Sequence, residues 1–389
     1  MIEFDKQRLT ETLAELVSIP SINPDLNPGA EGERQIAEFI AGRLRETPGI
    51  DVELQDAGNG RPNVIATVGS GSGRTLMLNG HIDTVGVTGM AAPFDPVVED
   101  GRLYGRGSSD MKGADAVMML LLEEIARAGD FPGRIVATFV VDEEYASIGT
   151  QAVCRDIGRW KPDAALVLEG TRLDVSIAHK GFVWATITTR GHAAHGSRYQ
   201  KGIDAIAHMG RVIVELESLS KELVQRPKHR YVGPPSLHAS LIRGGQELSS
   251  YPEECVLEIE RRTVPGESDD QVHAEFQDIL DRLAGEDPQF TATLEMGLVR
   301  EPFEIAEDAE IVQIVRDQAA ELLGHTPELT GGMGWMDSAL LSGAGVPTAI
   351  FGPAGEGAHA LEEWSDLDIL HQFATVLAAT SYAFCSDSQ

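Results

Sequence analysis

The sequence predicts an α/β protein of two domains, a larger catalytic one interrupted by a smaller α+β insertion, and three observations carry that expectation. Apolar strands and amphipathic helices interleave over 1–178; the texture turns alternating and polar over 179–293; the interleaved pattern resumes over 294–389. A chain of 389 residues also exceeds what one hydrophobic core usually holds.

In chain order, apolar residues recur at helical spacing in 5–18, 31–46 and 111–128. The runs NVIATVG at 63–69, RTLMLNG at 74–80, RIVATFVVD at 134–142 and AALVLE at 164–169 read as buried strands, whose near-continuous apolar character fits a sheet covered on both faces. GSGSG at 69–73 lacks the GxGxxG spacing and runs into a strand, so it reads as a hairpin turn and not as a dinucleotide loop. In the middle segment TITTRG at 186–191 and LEIERRTV at 257–264 alternate like strands of a one-sided sheet, with helices near 203–218 and 269–283. The final part reads as helices at 308–323 and 337–344, a strand PTAIFG at 347–352 and a last helix from about 366, and the return to one domain after an insertion is tolerated where chain ends lie close at the surface.

The balance of 61 acidic against 31 basic residues leaves a formal charge of -30, which repels phosphate backbones and anionic membranes. Nucleic acid and membrane partners are therefore not expected. Cys154, Cys255 and Cys385 form neither a disulfide framework nor a CxxC knuckle. With a charged amphipathic helix at the N-terminus instead of a signal segment, the expectation is a cytoplasmic protein.

The residues able to carry chemistry sit at strand ends. His81 closes the strand 74–80, and Asp83, two residues on, points the same way and is placed to take the second ring N–H of a ligating histidine; a purely structural histidine is the plain alternative. Asp110 precedes a long apolar helix, where an N-cap is the plain reading. Glu143 and Glu144 end the strand 134–142, either as an exposed charge pair or as one carboxylate for a metal and one for a water. Glu169 ends 164–169, and His359 lies in the glycine-rich loop after 347–352. Two histidines with three carboxylates at the ends of strands in one sheet suit a pair of borderline divalent ions, zinc above all. Asp337 in GGMGWMDS reads as backbone support at a helix start, and His179, His208, His229, His238, His273, His325 and His371 as surface or core residues.

HID at 81–83, GRGSSDMKGA at 105–114, DEE at 142–144, LEGT at 168–171, GHAAHGS at 191–197, RRTVPGE at 261–267 and GAHALEEW at 357–364 resemble, in order and over nearly the whole chain, the motifs of the di-zinc family that contains acetylornithine deacetylase, succinyl-diaminopimelate desuccinylase, aminoacylases and bacterial glutamate carboxypeptidase. That resemblance implies a zinc-peptidase-like catalytic domain with an inserted lid and dimerisation domain. It implies two Zn2+ ions, with Co2+ or Mn2+ as substitutes: His81 and Glu169 on one, Glu144 and His359 on the other, Asp110 between them. Glu143 becomes the general base acting on a water held by the zinc pair, Asp83 the partner of His81, and His195 a lid residue that reaches a partner's site to stabilise the oxyanion; His192 reads as a turn residue. Arg262 matches an arginine whose planar fork suits a substrate carboxylate, an ion pair with a neighbouring glutamate being the alternative. Ser249 stands where many relatives carry a substrate-binding asparagine, a departure from their recognition of substrate.

The resemblance points to a hydrolase cutting the amide bond of a small N-acyl amino acid, as a homodimer. A dipeptidase or carboxypeptidase uses the same apparatus, and a formylated or carbamoylated pyrimidine or heterocycle is a further amide substrate. A non-catalytic binding protein of the same fold would be expected to have lost the base or a ligand, and all six positions are present.

Overall fold

The computed structural model describes residues 2–69 and 73–386 and divides into two compact units. The first runs to Ile177 and includes Ile305–Thr330 and the chain from Met336; the second comprises Ala178–Glu304 with Gly331–Trp335. Of the expected GSGSG turn, residues 70–72 lie outside the described residues.

The first unit is built on a mixed sheet, in the order Ile50–Asp56, Pro62–Val68, Arg134–Val140, Thr75–His81, Ala164–Val167, Thr348–Ile350, Val175–His179. Its centre is parallel: Thr75–His81 lies parallel to Arg134–Val140 on one side and Ala164–Val167 on the other, and Thr348–Ile350 continues parallel to Ala164–Val167. The edges are antiparallel, through Pro62–Val68 at one end and Val175–His179 at the other. Every residue of Thr75–His81 is buried, which is why the strand reads as an unbroken apolar run.

Helix Gly113–Ala128 is buried nearly all round and packs against Lys6–Val17, Leu367–Ser386 and the sheet. Its Leu120–Leu122 run is 0–2% exposed, so truncating Leu121 to alanine costs about 2–5 kcal/mol. Helix and sheet approach closely at Gly80, where a Cβ would stand 2.6 Å from Asp115 Oδ1; glycine lets the strand pass and deliver His81 beyond it. Asp5 starts the first helix by accepting the Gln7 N–H at 2.8 Å.

A small sheet, ordered Gly355–Glu356, Trp364–Asp366, Arg102–Tyr104, Val97–Glu99, was not expected from the sequence because its strands are two or three residues long. It joins the segment ahead of Asp110 to the loop that carries His359.

The second unit holds an antiparallel sheet, Ser236–Gly244, Glu254–Thr263, Gly181–Arg190, Thr291–Arg300, with helices Ala205–Leu223 and Asp269–Glu286 packed on one face. Alternating burial along Glu254–Thr263 is the imprint of that one-sided cover. Its later boundary is Glu304 and not 293. Thr291–Arg300 pairs with Gly181–Arg190 and alternates along TATLEM, with Ala292, Leu294 and Met296 half-buried against the core of the unit. Among the described residues no helix is long and apolar enough to cross a membrane.

Candidate metal centre

Because four strands of the central sheet run parallel, their carboxyl ends open on one edge, and the chain places acids and imidazoles there. His81 is the last residue of Thr75–His81; Glu143 and Glu144 follow Arg134–Val140; Glu169 follows Ala164–Val167; His359 lies in the loop between Gly355–Glu356 and Trp364–Asp366. Asp110 comes from the turn Ser108–Lys112 ahead of helix Gly113–Ala128. It does not cap that helix, whose N-terminal neighbour Lys112 makes no side-chain cap.

Asp110 is the shared member of two clusters. Its Oδ1 is 3.1 Å from His81 Nε2, which is also 3.6 Å from Glu169 Oε1. Its Oδ2 is 3.4 Å from His359 Nε2, which lies 3.0 Å from Glu144 Oε2. Within each triad, His81–Asp110–Glu169 and Asp110–Glu144–His359, the candidate ligand atoms fall within 4.8 Å of one another. One imidazole and two carboxylates at each, one carboxylate held in common, is a donor set that fits two neighbouring borderline divalent ions.

The electrostatics point the same way. Burial disfavours the His81 cation, yet its contacts with Asp110 and Asp83 outweigh that and raise its pKa. Contacts with Asp110 and Glu144 raise His359 to about 10. Burial lifts Glu169 to about 8, helped by Asp110 and Glu144 and opposed by His81. Glu143 is pushed well up, by burial first and by the carboxylates of Glu169, Asp337 and Glu144, against His81. Asp110, by contrast, is pulled below the usual carboxylate range, the contacts from His359 and His81 overcoming its burial. Crowded acids that hold protons against one another are relieved by a dication at their centre.

Behind these groups lies a polar network that sequence reasoning missed. Asp83 is fully buried and accepts Asn23 Nδ2 at 2.8 Å and the backbone N–H groups of Glu143 and Glu144 at 3.1 and 3.2 Å. His81 Nδ1 is 3.1 Å from the Asp83 carbonyl and 3.5 Å from its carboxylate, so the nearer acceptor for that ring N–H is the main chain of Asp83, not the side chain expected. Asn23 Nδ2 also reaches Asp142 Oδ1 at 3.0 Å, and Arg61 Nη1 donates to the same oxygen at 2.8 Å. Arg61 is held in turn by Glu33 through Nε at 2.9 Å and by Asp25 at 2.7 Å. Asp142 has φ of 69°, a left-handed conformation that costs a non-glycine residue about 1–3 kcal/mol and that these contacts stabilise. It turns the chain so that Glu143 and Glu144 face the centre. No spacing rule marks Asn23, Arg61 or Asp142; only the fold brings residues 23, 61, 83 and 142 together.

Asp337 is buried and its side chain accepts Thr150 Oγ1 at 2.6 Å instead of capping Ser338–Gly343. Burial raises its carboxyl to about 6, with the Thr150 contact opposing. His195, Ser249 and Arg262 belong to the second unit. His195 is exposed, with Ser197 Oγ 2.8 Å from Nδ1, and lies beside the Ser249–Ser250 segment through the Gly196 N–H to Ser249 O bond of 2.7 Å. Ser249 Oγ is 3.4 Å from Glu247. Arg262 donates from Nε to Glu260 at 2.7 Å and stands 5.3 Å from the Phe182 ring, so the ion pair with a neighbouring glutamate is formed. Of the remaining histidines, His179 contacts the Lys180 carbonyl and the Phe303 ring, His208 packs on Phe290, His229 meets Glu304 and His371 meets the Phe4 carbonyl.

The sequence model of peptidase family M20/M25/M40 matches residues 77–383. The N-formyl-4-amino-5-aminomethyl-2-methylpyrimidine deformylase of Halalkalibacterium halodurans is 26% identical over 417 residues, covering 99% of this chain and 96% of that protein. The acetylornithine deacetylase of Myxococcus xanthus is 29% identical over 394 residues, covering 97% of each. A dinuclear metal binding peptidase of Bacillus subtilis has the same fold, with a TM-score of 0.75 at 16% identity and 98% of each chain covered.

Proposed function

This chain belongs to peptidase family M20/M25/M40, and from that premise we propose that it hydrolyses the amide bond of a small N-acyl amino acid with two zinc ions, as an acetylornithine deacetylase-like deacylase. The observation that carries the reading is the sharing of Asp110 between the His81–Glu169 and Glu144–His359 pairs at one edge of the sheet. Zinc fits this donor set, with cobalt or manganese as substitutes.

When bound, the ions supply Lewis-acid polarisation of the amide carbonyl and a more acidic water. Glu143 takes the proton of the attacking water as the new C–O bond forms and delivers it to the departing nitrogen as the C–N bond breaks, leaving a carboxylic acid and an amine. Asp83 orients His81 and the Glu143–Glu144 segment. His195 stabilises the oxyanion and Arg262 reads a substrate carboxylate, both from the second unit, which serves as lid and dimerisation domain. The dimer is supported by the exposed edge strand Ser236–Gly244, where Leu241 and Ile242 are 59% and 56% exposed; a sedimentation mass equal to one chain contradicts it.

A second reading is deformylation of an amide without a carboxylate, favoured by the pairing of Arg262 with Glu260. Amine release from N-acetyl, N-succinyl, N-formyl and N-aminoacyl substrates, with Glu143→Ala as blank, tests both. Turnover confined to N-acyl amino acids supports the deacylase, turnover of formyl amides alone the second reading, and turnover of peptides alone a peptidase. Silence across the panel refutes all three.

A further inference from the structure

Arg106 and Glu363 are 3% and 1% exposed and lie close in sequence to Asp110 and His359 respectively. Four donors converge on the Glu363 carboxylate. Oε2 accepts Arg106 Nη1 at 2.7 Å and the Gly107 N–H at 2.9 Å; Oε1 accepts the Ser109 and Asp110 N–H groups at 2.9 and 3.0 Å. Arg106 then reaches back with Nη2 to the carbonyl of Ala360, next to His359, at 2.8 Å. The Gly105 N–H donates to the Glu363 carbonyl at 3.0 Å, and Arg102–Tyr104 pairs with Trp364–Asp366. The turn that carries Asp110 and the loop that carries His359 are thereby laced together by a buried ion pair and its backbone donors.

The two halves of the centre differ in how they are otherwise held. His81 is locked in a central strand, paired with Val140 across the sheet, and is 2% exposed. His359 has φ of 62° and a side chain 55% exposed, and among the described residues its ring meets only carboxylates of the centre itself, Asp110 and Glu144. Its place depends on the loop, and the loop depends on Arg106 and Glu363.

We infer that Glu363, paired with Arg106, is a positioning residue that sets Asp110 and His359 in register and so builds the Asp110–Glu144–His359 half of the metal centre. The inference rests on the two-ion reading above. Charge-assisted hydrogen bonds of this kind hold a geometry more tightly than neutral ones. Removing either partner leaves the other's charge buried and uncompensated.

Titration of the metal-stripped full chain with Co2+ alone, followed by visible absorption and by competition with a chelator, is the test. The wild type is expected to take up two ions. In Glu363→Gln the ion held by Asp110, Glu144 and His359 is weakened about 10- to 100-fold, the usual effect of losing an outer partner of a ligand, and the ion held by His81 and Glu169 is weakened less, since only its share of Asp110 is disturbed. Arg106→Met shifts the same site in the same direction but less, since the backbone donors to Glu363 remain, and Arg106→Lys restores part of the loss. Arg106→Met and Arg106→Lys decide the matter if Glu363→Gln does not fold. Unchanged binding of both ions in a folded variant, or equal weakening of both, overturns the inference. A wild-type chain that takes up no cobalt overturns the two-ion reading itself, and that result is distinguished by appearing before any substitution is made.

Discussion

The carboxylate of Asp83 accepts the backbone N–H of Glu143 at 3.1 Å, so one buried residue fixes the segment that bears the proposed base with its side chain and the imidazole of His81 with its carbonyl. Asp83→Ala leaves the N–H groups of Glu143 and Glu144 without their acceptor and Asn23 with Asp142 alone. Each unsatisfied buried group costs about 1–3 kcal/mol, and the lost orientation weakens zinc about 10- to 100-fold. Thermal melts and chelator competition read the two effects; a variant with wild-type zinc affinity removes Asp83 from the support of the centre.

Glu143 is the residue whose loss separates chemistry from metal binding. Glu143→Ala is expected to lower turnover by about 10²- to 10⁴-fold, the span typical of general acid-base transfer, with both ions retained. Metal content by atomic absorption and amine release under saturating substrate check the pair of statements together. Turnover at the wild-type rate assigns the proton transfer elsewhere.

Arg61 pairs with both Glu33 and Asp142, the latter also bound by Asn23, and is 8% exposed. Arg61→Met is expected to cost about 3–5 kcal/mol, because it strands two buried carboxylates. The midpoint of urea unfolding reports this directly, and a shift smaller than about 1 kcal/mol, the scale of a surface ion pair, contradicts it.

Asp337 carries a pH signature. Its carboxyl is raised from 3.8 to about 6 in the folded chain, chiefly by burial. A raised carboxyl binds its proton more tightly folded than unfolded, so its stabilising contribution is complete below about pH 4 and is lost as pH rises through 6, a change of roughly 3 kcal/mol. Asp337→Asn keeps an uncharged acceptor for Thr150 and escapes that loss. Unfolding free energies of the two metal-free proteins should therefore diverge in favour of the variant between pH 4 and 7, and a constant difference across that range disproves the assignment.

Arg262 separates the two substrate readings. If it meets a substrate carboxylate, Arg262→Ala raises KM for N-acyl amino acids far more than it lowers kcat. If its partner is Glu260 throughout the reaction cycle, KM for every substrate stays where it was.

Much of the catalytic unit is legible in the sequence because burial on both faces forces unbroken apolar runs, as in Thr75–His81 and Arg134–Val140. A polar residue that ends such a run, like His81, then stands out. Asn23, Arg61 and Glu363 give no such signal, since each acts through residues distant in the chain, Glu363 on Arg106 and Asp110 and Asn23 on Asp83 and Asp142. The short strands around His359 are invisible for the converse reason: nothing apolar in them repeats for long enough.

The order of strands in the central sheet bears on how the chain is made. Thr348–Ile350 sits between Ala164–Val167 and Val175–His179, so a ribosome emits both neighbours long before the strand that fills the gap. At about 5–20 residues per second that gap stays open for roughly 10 to 35 s, while the whole inserted unit emerges. A nascent chain must therefore shelter an unfinished sheet edge, and a pocket still lacking His359, until translation nears its end.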